Sequence, residues 1–356
     1  MSAHTDNEGK IKIGITCGDV NGVGMEVTMK VFLDNQMLQL CTPVIYASSK
    51  LVSLQRKLLN LTEFNYNTVR SSNDILLRKV NVINCWEEEI PVDYGKSTET
   101  SGKYALRSIE HAAEDLKQNK IDAIVTAPIN KHNIQSDKFR FAGHTEYFAQ
   151  KFNVQSHLMF LLSDNLRVAV VSGHVPIKSI ASDISTDKIY SKIKMISQSL
   201  KRDFGIRKPR IAVLGLNPHA GDNGLLGNEE KDIIQPAIKK SFDEGTLVYG
   251  PYSADGFFGS GSFSKFDAIL AMYHDQGLVP FKALAFSSGV NFTAGLPIVR
   301  TSPDHGTAYD IAGKNKASES SMREAIYCAL DILRMRKDFD LITTDPLAYS
   351  RQGREH

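Results

Sequence analysis

The sequence predicts an α/β fold in which helices cover a mainly parallel sheet. Short runs rich in valine and isoleucine alternate with stretches whose apolar residues recur at the helical spacing. Each apolar run ends near glycine, proline, asparagine or histidine, as strands do where the chain turns. This alternation is typical of βαβ units, in which a crossover helix lets consecutive strands run parallel.

Six segments have the length and composition of strands. They are Lys12–Thr16, Pro43–Ala47, Asp122–Thr126, Arg167–Ser172, Arg210–Leu216 and Asp267–Met272. Two helices are predicted from apolar residues that share one helical face. These residues are Ala105, Ile109, Ala112 and Leu116 in the first helix, and Ile189, Ile193, Ile196 and Leu200 in the second. The glycine-rich stretch 256–261 is predicted to be a loop.

The length of 356 residues is enough for two domains or for two lobes of one enzyme. The formal net charge is only +2, so the composition indicates neither nucleic-acid nor membrane binding. No apolar run approaches the roughly 20 residues that cross a bilayer. We expect residues 1–10 to form a disordered polar tail. The four cysteines form no CxxC pair, which favours reduced thiols in the cytoplasm.

No predicted strand is followed by GxGxxG, the glycine pattern of the Rossmann dinucleotide-binding fold. The nearest counterpart is GDVNGVGME at residues 18–26, after the first strand. Its glycines could let the backbone approach an anion at a helix start, or the segment is a plain strand-to-helix turn. Both interpretations stay open. If this protein binds a nicotinamide cofactor, the binding site would lie outside the usual motif.

Three histidines occupy the same kind of position, just past the carboxyl end of a predicted strand. His174, His219 and His274 each follow one of the apolar runs within three residues. In open α/β sheets these strand ends form the ligand crevice. Imidazole suits zinc and cobalt, so three converging rings predict a divalent-metal site. The alternative is that they are separate capping or loop histidines.

A second polar cluster lies toward the C-terminal end of the chain. Lys282, Asn291 and Arg300 are spaced nine residues apart and are flanked by apolar residues and glycines. A guanidinium grips phosphate or carboxylate with two parallel hydrogen bonds, and lysine adds a point charge. A solvated surface position is the alternative for any one of them. Asp275 adjoins His274 and is a candidate proton acceptor, metal ligand or orienting group.

Two more histidines, His144 and His305, lie in loop-like sequence beside glycine and threonine. This setting suits direct contact with an anion. The other five histidines are expected to have no functional role, because tails, helix interiors and turns commonly carry such residues. They are His4, His111, His132, His157 and His356.

Six segments, taken together, are specific for one family. They read GDVNGVGME, TAPINK, FAGHTEYFA, GLNPHAGDNGLLGNEE, AMYHDQGLVPFK and GVNFTAGLPIVRTSPDHGTAYDIAGK, and they span residues 18–314. In these segments the chain resembles the 4-hydroxythreonine-4-phosphate dehydrogenases of pyridoxal phosphate biosynthesis. The resemblance implies a fold like that of isocitrate and isopropylmalate dehydrogenases. Two α/β lobes around mainly parallel sheets would then enclose an active-site cleft.

The resemblance also implies where the lobes and the subunit contacts lie. Lobe one would comprise residues 11–130 and 291–356 on the cofactor side. Lobe two would comprise residues 131–290, with the metal ligands and the dimerisation surface. The family is dimeric, so a homodimer whose active sites are shared between subunits is implied.

Roles for individual residues follow from their positions in the family's motifs. One divalent ion per subunit, zinc, magnesium or cobalt, would be bound by His174, His219 and His274. The substrate contacts would be His144, Thr145, Lys282, Asn291 and Arg300. The segment 305–317 resembles the stretch that the related dehydrogenases use near the adenosine of NAD or NADP. The cofactor contacts in it would be His305, Gly306 and Asp310.

The reaction implied by the resemblance is oxidation of 4-phosphooxy-L-threonine at C3 by NAD or NADP. The β-keto acid product should lose carbon dioxide to give 3-amino-2-oxopropyl phosphate. Asp275 is the candidate base and Asp255 the second candidate. Three alternatives stay open: a dehydrogenase of threonate or erythronate 4-phosphate, a metal-dependent phosphohydrolase, and a non-catalytic binding protein.

Overall fold

Twelve strands form one sheet in the computed structural model, which describes residues 11–164, 166–285 and 288–344. The predicted tail, residues 1–10, lies outside the described residues. The strands are β1 (Lys12–Thr16), β2 (Thr42–Ala47), β3 (Asn67–Val69), β4 (Asn81–Asn84), β5 (Ala123–Thr126), β6 (Leu158–Ser163), β7 (Leu166–Ser172), β8 (Arg210–Leu214), β9 (Leu247–Tyr252), β10 (Ala268–Tyr273), β11 (Val290–Ala294) and β12 (Val299–Pro303). Their order across the sheet is β3-β4-β2-β1-β5-β12-β11-β6-β7-β10-β8-β9.

Helices and short helical turns connect these strands. The α-helices are α1 (Gly24–Val31), α2 (Met37–Leu40), α3 (Ser49–Leu58), α4 (Glu99–Lys117), α5 (His144–Lys151), α6 (Ile180–Asp183), α7 (Thr186–Arg202), α8 (Gln235–Asp243), α9 (Ala254–Gly259), α10 (His274–Ala285) and α11 (Ser320–Thr344). Short 3₁₀ turns cover Ser72–Asp74, Ile177–Ser179, Pro218–Gly224 and Ser262–Lys265, and a π-helical turn, Glu230–Ile234, precedes α8. In the parts of the chain described here, no helix is both long and apolar enough to span a bilayer.

The predicted α/β class and its mainly parallel sheet are confirmed. All six predicted strands are present, and their ends lie within two residues of the predicted ends. The two predicted helices are α4 and α7, and their first turns are capped by the side chains of Thr98 and Ser185. The loop prediction for residues 256–261 is wrong in part, because α9 continues to Gly259. Burial of Phe257 stabilises that helical turn despite its glycines.

The sheet contains two parallel blocks that run in opposite directions. One block is β3-β4-β2-β1-β5-β12, in which each pair is parallel. The other is β7-β10-β8-β9. Between them, β11 pairs antiparallel with β12 and with β6, and β6 pairs antiparallel with β7. The middle of the sheet is therefore the place where the strand direction changes.

Helices cover both faces of the second block. Along β7, Val168 and Val170 face a cluster that includes residues of α10, whereas Ala169 and Val171 face the main core beside α7. This alternation follows from the two-residue period of a strand. Each fully buried valine, leucine or isoleucine stabilises the fold by roughly 1.5–3 kcal/mol. The two faces together fix β7 and β10, the strands that precede His174 and His274.

Candidate active site

A cavity of about 520 Å³ opens over the central strands, where the two parallel blocks meet. It is lined by nine of the residues that the sequence predicted: His144, Thr145, His174, His274, Lys282, Asn291, Arg300, His305 and Gly306. Three predicted residues do not line it, namely His219, Asp275 and Asp310. Four charged lining residues had been missed: Lys131, Glu146, Lys192 and Asp304. Lys131 and Glu146 lie inside the motifs TAPINK and FAGHTEYFA, which could have drawn attention to them.

Arg300 is the most buried cation of the cavity, with 3% of its surface exposed. Its guanidinium donates hydrogen bonds of 2.6 and 3.1 Å to Oγ1 of Thr126, 3.3 Å to Oγ1 of Thr293 and 3.0 Å to Oγ of Ser302. All these acceptors are neutral hydroxyls, and no carboxylate of the described residues forms an ion pair with it. Burial lowers the pKa of Arg300 to about 10, and the negative charge of Glu146 opposes this shift. Such an uncompensated buried cation favours binding of an anion.

His144 lies beside Arg300 at the start of α5. Burial lowers the pKa of His144 well below its usual value, and the positive charges of Arg300 and Lys131 add to the shift. The ring is therefore neutral near pH 7. Its Nε2 atom is buried without a hydrogen-bond partner, as are Oδ1 of Asn291 and Nε2 of His305. Because buried polar atoms are nearly always hydrogen-bonded, these three atoms indicate that a polar ligand completes the cavity.

His174 and His274 come together at the ends of β7 and β10. Their ring centroids are 5.8 Å apart, and Nζ of Lys131 lies 3.4 Å from Nε2 of His174. Burial lowers the pKa of His174, and the nearby positive charges of Lys131 and His274 act in the same direction. A neutral imidazole keeps the lone pair that a metal needs. This pair of rings therefore fits a divalent ion, which three protein ligands would normally hold.

His219 does not join this pair. Across the described ranges, no three histidine, cysteine, aspartate or glutamate side chains are close enough to hold a metal ion. The three strands that precede these histidines are neighbours in the sheet, because β10 lies between β7 and β8. However, β8 ends at Leu214, five residues before His219, and the intervening chain leads the ring elsewhere. His219 instead lies near Asp255, whose pKa is lowered mainly by hydrogen bonds from Ser253 and Gly256 and to a lesser extent by His219.

The loop that carries His219 has an unusual backbone. Residues 219–223 all have positive φ, from 42° to 81°, and four of the five are not glycine. The left-handed conformation costs a non-glycine residue roughly 1–2 kcal/mol. The buried carboxylate of Glu230 holds the loop, since it accepts hydrogen bonds of 2.8 and 2.7 Å from the backbone N–H groups of Leu216 and Asn217. Strain of this kind is concentrated at functional sites.

Two further predicted charged residues, Lys282 and Asp275, have side-chain partners in the protein. Nζ of Lys282 lies 3.6 Å from Oδ2 of Asp304, and burial raises the pKa of that aspartate although the lysine opposes the shift. Oδ1 of Asp275 lies 2.6 Å from Nδ1 of His274, so this carboxylate orients the ring. Asp275 and Asp255 both lie outside the cavity lining. The choice between them as general base stays a prediction.

On the side predicted to bind the cofactor, residues 305–310 pack against the GDVNG turn. The carbonyl oxygen of Thr307 accepts a 3.0 Å hydrogen bond from the N–H group of Val23. A β-carbon at Gly22 would lie 2.8 Å from the same oxygen. The glycine there permits a close approach of the chain to itself, which favours the plain-turn interpretation of this segment. Asp310 is exposed, and its backbone carbonyl accepts a hydrogen bond from Lys314.

Asp19, which the sequence interpretation missed, connects four separate segments below this side of the site. Its buried Oδ2 accepts hydrogen bonds of 2.8 Å from the hydroxyl of Tyr309, 2.7 Å from Nδ2 of Asn133 and 3.1 Å from Oγ of Ser101. The turn after β1, the start of α4, the chain after β5 and the segment 305–310 are thereby joined. A single aspartate in a turn gives no sequence signal for such long-range contacts.

These observations define a class of protein: an α/β protein with a cation-rich cavity for a small anionic ligand, built on a mixed sheet without the Rossmann glycine pattern. Sequence comparison identifies the family. The profile of the family described as pyridoxal phosphate biosynthetic protein PdxA matches residues 39–329, and the chain belongs to that family.

Individual relatives agree with this assignment. A 4-hydroxythreonine-4-phosphate dehydrogenase of Bacteroides thetaiotaomicron is 52% identical over 341 residues, which are 96% of this chain and 93% of the relative. A provisionally named D-threonate 4-phosphate dehydrogenase of Oceanobacillus iheyensis is 38% identical, over 90% of this chain and 97% of its own length. The crystal structure of 4-hydroxythreonine-4-phosphate dehydrogenase from Klebsiella pneumoniae superposes with a TM-score of 0.76 at 32% identity. It covers 91% of this chain and 99% of that one.

Proposed function

We propose that this protein oxidises 4-phosphooxy-L-threonine at C3 with NAD or NADP, in the cytoplasm, and that loss of carbon dioxide then gives 3-amino-2-oxopropyl phosphate for pyridoxal 5'-phosphate biosynthesis. As a member of its family, the chain is an oxidoreductase of that pathway. The observation that carries the proposal is the buried guanidinium of Arg300, which has only neutral partners and lies in one cavity with the His174–His274 pair. A phosphorylated hydroxy acid presents an anion and an oxidisable carbon to these two regions.

The phosphate would bind at the deep end of the cavity. Arg300 supplies a fork of donors that matches a phosphate. Neutral polar groups around the phosphate would come from His144, Thr145 and Asn291. Lys282 keeps Asp304 as its partner and contributes a second positive charge nearby. With its phosphate bound in this way, the substrate would be fixed at one end. Contacts with its other end would then position C3.

The reacting end would lie beside His174 and His274. Their rings would provide two ligands for one zinc, magnesium or cobalt ion per subunit. Such an ion supplies Lewis acidity toward the hydroxyl that is oxidised. Asp275 fixes the orientation of the His274 ring through Nδ1, so it supports the site whether or not it also accepts the proton. Residues 305–310 are the expected contacts of a nicotinamide cofactor, which when bound would supply the hydride-accepting chemistry.

The third metal ligand, His219, would come from a second copy of the chain in a homodimer. Two observations support a shared site. First, His219 does not reach the other two rings within one chain. Second, large apolar side chains are strongly exposed on the segments that follow His174, His219 and His274. These side chains are Ile177, Leu225 and Val279, with 79%, 78% and 62% of their surfaces exposed. If these side chains adjoin in a homodimer, they would supply the apolar contact area of a protein interface.

The decisive experiment is to follow NADH or NADPH formation from 4-phosphooxy-L-threonine, before and after removal of metal with a chelator. We expect reduction of the cofactor that is lost on chelation and restored by zinc, magnesium or cobalt. Release of inorganic phosphate without any reduced cofactor would instead indicate a metal-dependent phosphohydrolase. The absence of both reactions would leave a binding protein.

A second candidate substrate is threonate or erythronate 4-phosphate. The observation that favours it is the relative from Oceanobacillus iheyensis, whose printed name specifies D-threonate 4-phosphate. Such a substrate carries a hydroxyl where 4-phosphooxy-L-threonine carries an amino group. Comparison of kcat/KM for the two compounds distinguishes the candidates.

A further inference from the structure

Two oppositely charged residues of the cavity have no role in the reaction as described above. They are Lys131, in the chain that follows β5, and Glu146, in the first turn of α5. Both side chains approach Gly143: a β-carbon there would lie 3.6 Å from Oε2 of Glu146 and 3.7 Å from Cε of Lys131. The two side chains do not form an ion pair with each other. Both therefore border the same part of the cavity, the region beside Gly143.

Glu146 is an unpaired acid among several cations. In the described part of the chain its carboxylate makes neither a hydrogen bond nor an ion pair. By contrast, the other carboxylate of the cavity, that of Asp304, is paired with Lys282. The negative charge of Glu146 acts on its surroundings, since it opposes the lowering of the pKa of both His174 and Arg300. The carboxylate is thus available to a positively charged group of a ligand.

The region beside Gly143 adjoins the reacting end of the cavity. Nζ of Lys131 is 3.4 Å from Nε2 of His174, one of the two rings beside which the oxidised carbon would lie. In a phosphorylated hydroxy amino acid, the carbon next to the oxidised one bears both an ammonium and a carboxylate. With C3 beside the histidines, these two groups would face the region beside Gly143. The positive charge of Lys131 and the negative charge of Glu146 there are complementary to the carboxylate and the ammonium group of such a ligand.

We propose that Glu146 binds the ammonium group and Lys131 the carboxylate of an α-amino acid substrate, and that Glu146 selects amino acids over the corresponding hydroxy acids. This inference rests on the proposed function for the position of C3. It goes further in naming the two residues that recognise the head group. Removal of the Glu146 charge should therefore affect one substrate class selectively, whereas removal of the Lys131 charge should affect both classes.

The test compares 4-phosphooxy-L-threonine with erythronate 4-phosphate in the wild type, Glu146→Gln, Lys131→Met and a matched control, Glu63→Gln. Glu63 is exposed in the loop before β3, at the far edge of the sheet. Affinity is measured by titration calorimetry and turnover by NADH formation. We expect Glu146→Gln to lower the preference for the amino acid by about 10- to 100-fold, since a charged hydrogen bond is lost. Affinity for the hydroxy acid should be unchanged or higher.

Lys131→Met should weaken both compounds by a similar factor, and Glu63→Gln should leave the preference at the wild-type value. An unchanged preference in Glu146→Gln, with both affinities falling together, would overturn the inference and leave Glu146 as a general counter-charge for Arg300 and His174. The binding measurement separates the two proposals. A selective loss of amino-acid affinity without any NADH formation would support the inference while refuting the dehydrogenase function.

Discussion

At the scale of single residues, burial decides which side chains of the site are charged and which are neutral. The resulting arrangement of charges suits the binding of an anion. Arg300 is enclosed by hydroxyls, which orient the guanidinium without neutralising it. Burying a cation without a counter-charge lowers stability, so this arrangement sacrifices folding free energy for ligand binding. The same burial keeps His144 uncharged beside Arg300, because two adjacent positive charges would be still less favourable.

This leads to opposite expectations for activity and stability when Arg300 is replaced. Arg300→Met should lower kcat/KM for the phosphorylated substrate by roughly 10- to 150-fold, the equivalent of about 1.5–3 kcal/mol. The free energy of unfolding of the ligand-free protein should be unchanged or higher, as measured by urea denaturation. Arg300→Lys should recover only part of the activity, since it keeps the charge but loses the fork of donors.

Two results would contradict this account of Arg300. A large loss of stability in Arg300→Met would mean that the residue is chiefly structural. An equal loss of activity toward a substrate analogue that lacks the phosphate would mean that Arg300 binds another group. Metal content serves as the control, because it should stay at the wild-type level in both variants.

At the scale of single elements, the loop after β8 contrasts with those after β7 and β10. After β7 and after β10, the chain reaches the histidine within two residues. Both of these strands are held in place by side chains packed on both faces of the sheet. The loop of His219 runs through a left-handed turn instead, which the buried Glu230 secures. Gly221 lies at the centre of this turn with a φ of 81°, and a β-carbon there would lie 2.6 Å from Oε2 of Glu230. The conformation of the turn and the position of the Glu230 carboxylate therefore depend on each other.

Gly221→Ala should therefore disturb both stability and metal binding. The matched control is Gly245→Ala, since Gly245 has a φ of 85° but nothing within 4 Å of an added β-carbon. The control should lose roughly 1–2 kcal/mol of unfolding free energy from the backbone conformation alone. Gly221→Ala should lose more and should also bind zinc more weakly, as measured by denaturation and by metal analysis. Equal effects of the two substitutions would show that the turn accommodates a β-carbon.

At the scale of the whole molecule, the central observation is that one chain gathers the cavity and two histidines but leaves the third outside. His174 and Lys282 line the same cavity, so in the proposed homodimer defects at these two positions would belong to one half of a shared site. His219 would belong to the other half, contributed by the second subunit. This division predicts which inactive variants can restore each other.

Coexpression of His174→Ala with His219→Ala, each carrying a different affinity tag, should yield active heterodimers. One of their two sites then combines an intact cavity with an intact His219. Random pairing makes about half of the dimers mixed, so about a quarter of the wild-type activity is expected before purification.

The control is coexpression of His174→Ala with Lys282→Ala. Each subunit of a mixed dimer then has a defect in its own cavity, so neither of the two sites is intact. Activity should therefore stay at the background level. Recovery in this control with none in the first pair would show that the subunits divide the site differently. A fully active monomer in light scattering would refute the shared site altogether.

The sequence was sufficient for the elements that are defined by local patterns. Valine- and isoleucine-rich runs such as Ile211–Leu214 and the apolar face of α7 were found because periodicity and burial depend on neighbouring residues. The short strands β3 and β4 and the edge strand β9 were not among the predicted segments. Neither were β11 and β12, which carry Asn291 and Arg300, because their polar residues broke the apolar pattern.

By itself, then, the sequence determined the fold class, the family and the types of residue that form the site, since motifs and hydrophobic periods are written along the chain. Only the tertiary structure decided which of these residues meet. It put Arg300 among hydroxyls from β5, β11 and β12, joined His174 to Lys131, left His219 apart and left Glu146 unpaired. The physical reason is that electrostatic and hydrogen-bonding contacts depend on distance in space. Residues such as Thr126 and Arg300 come into contact only after the sheet has paired strands that are far apart in the chain.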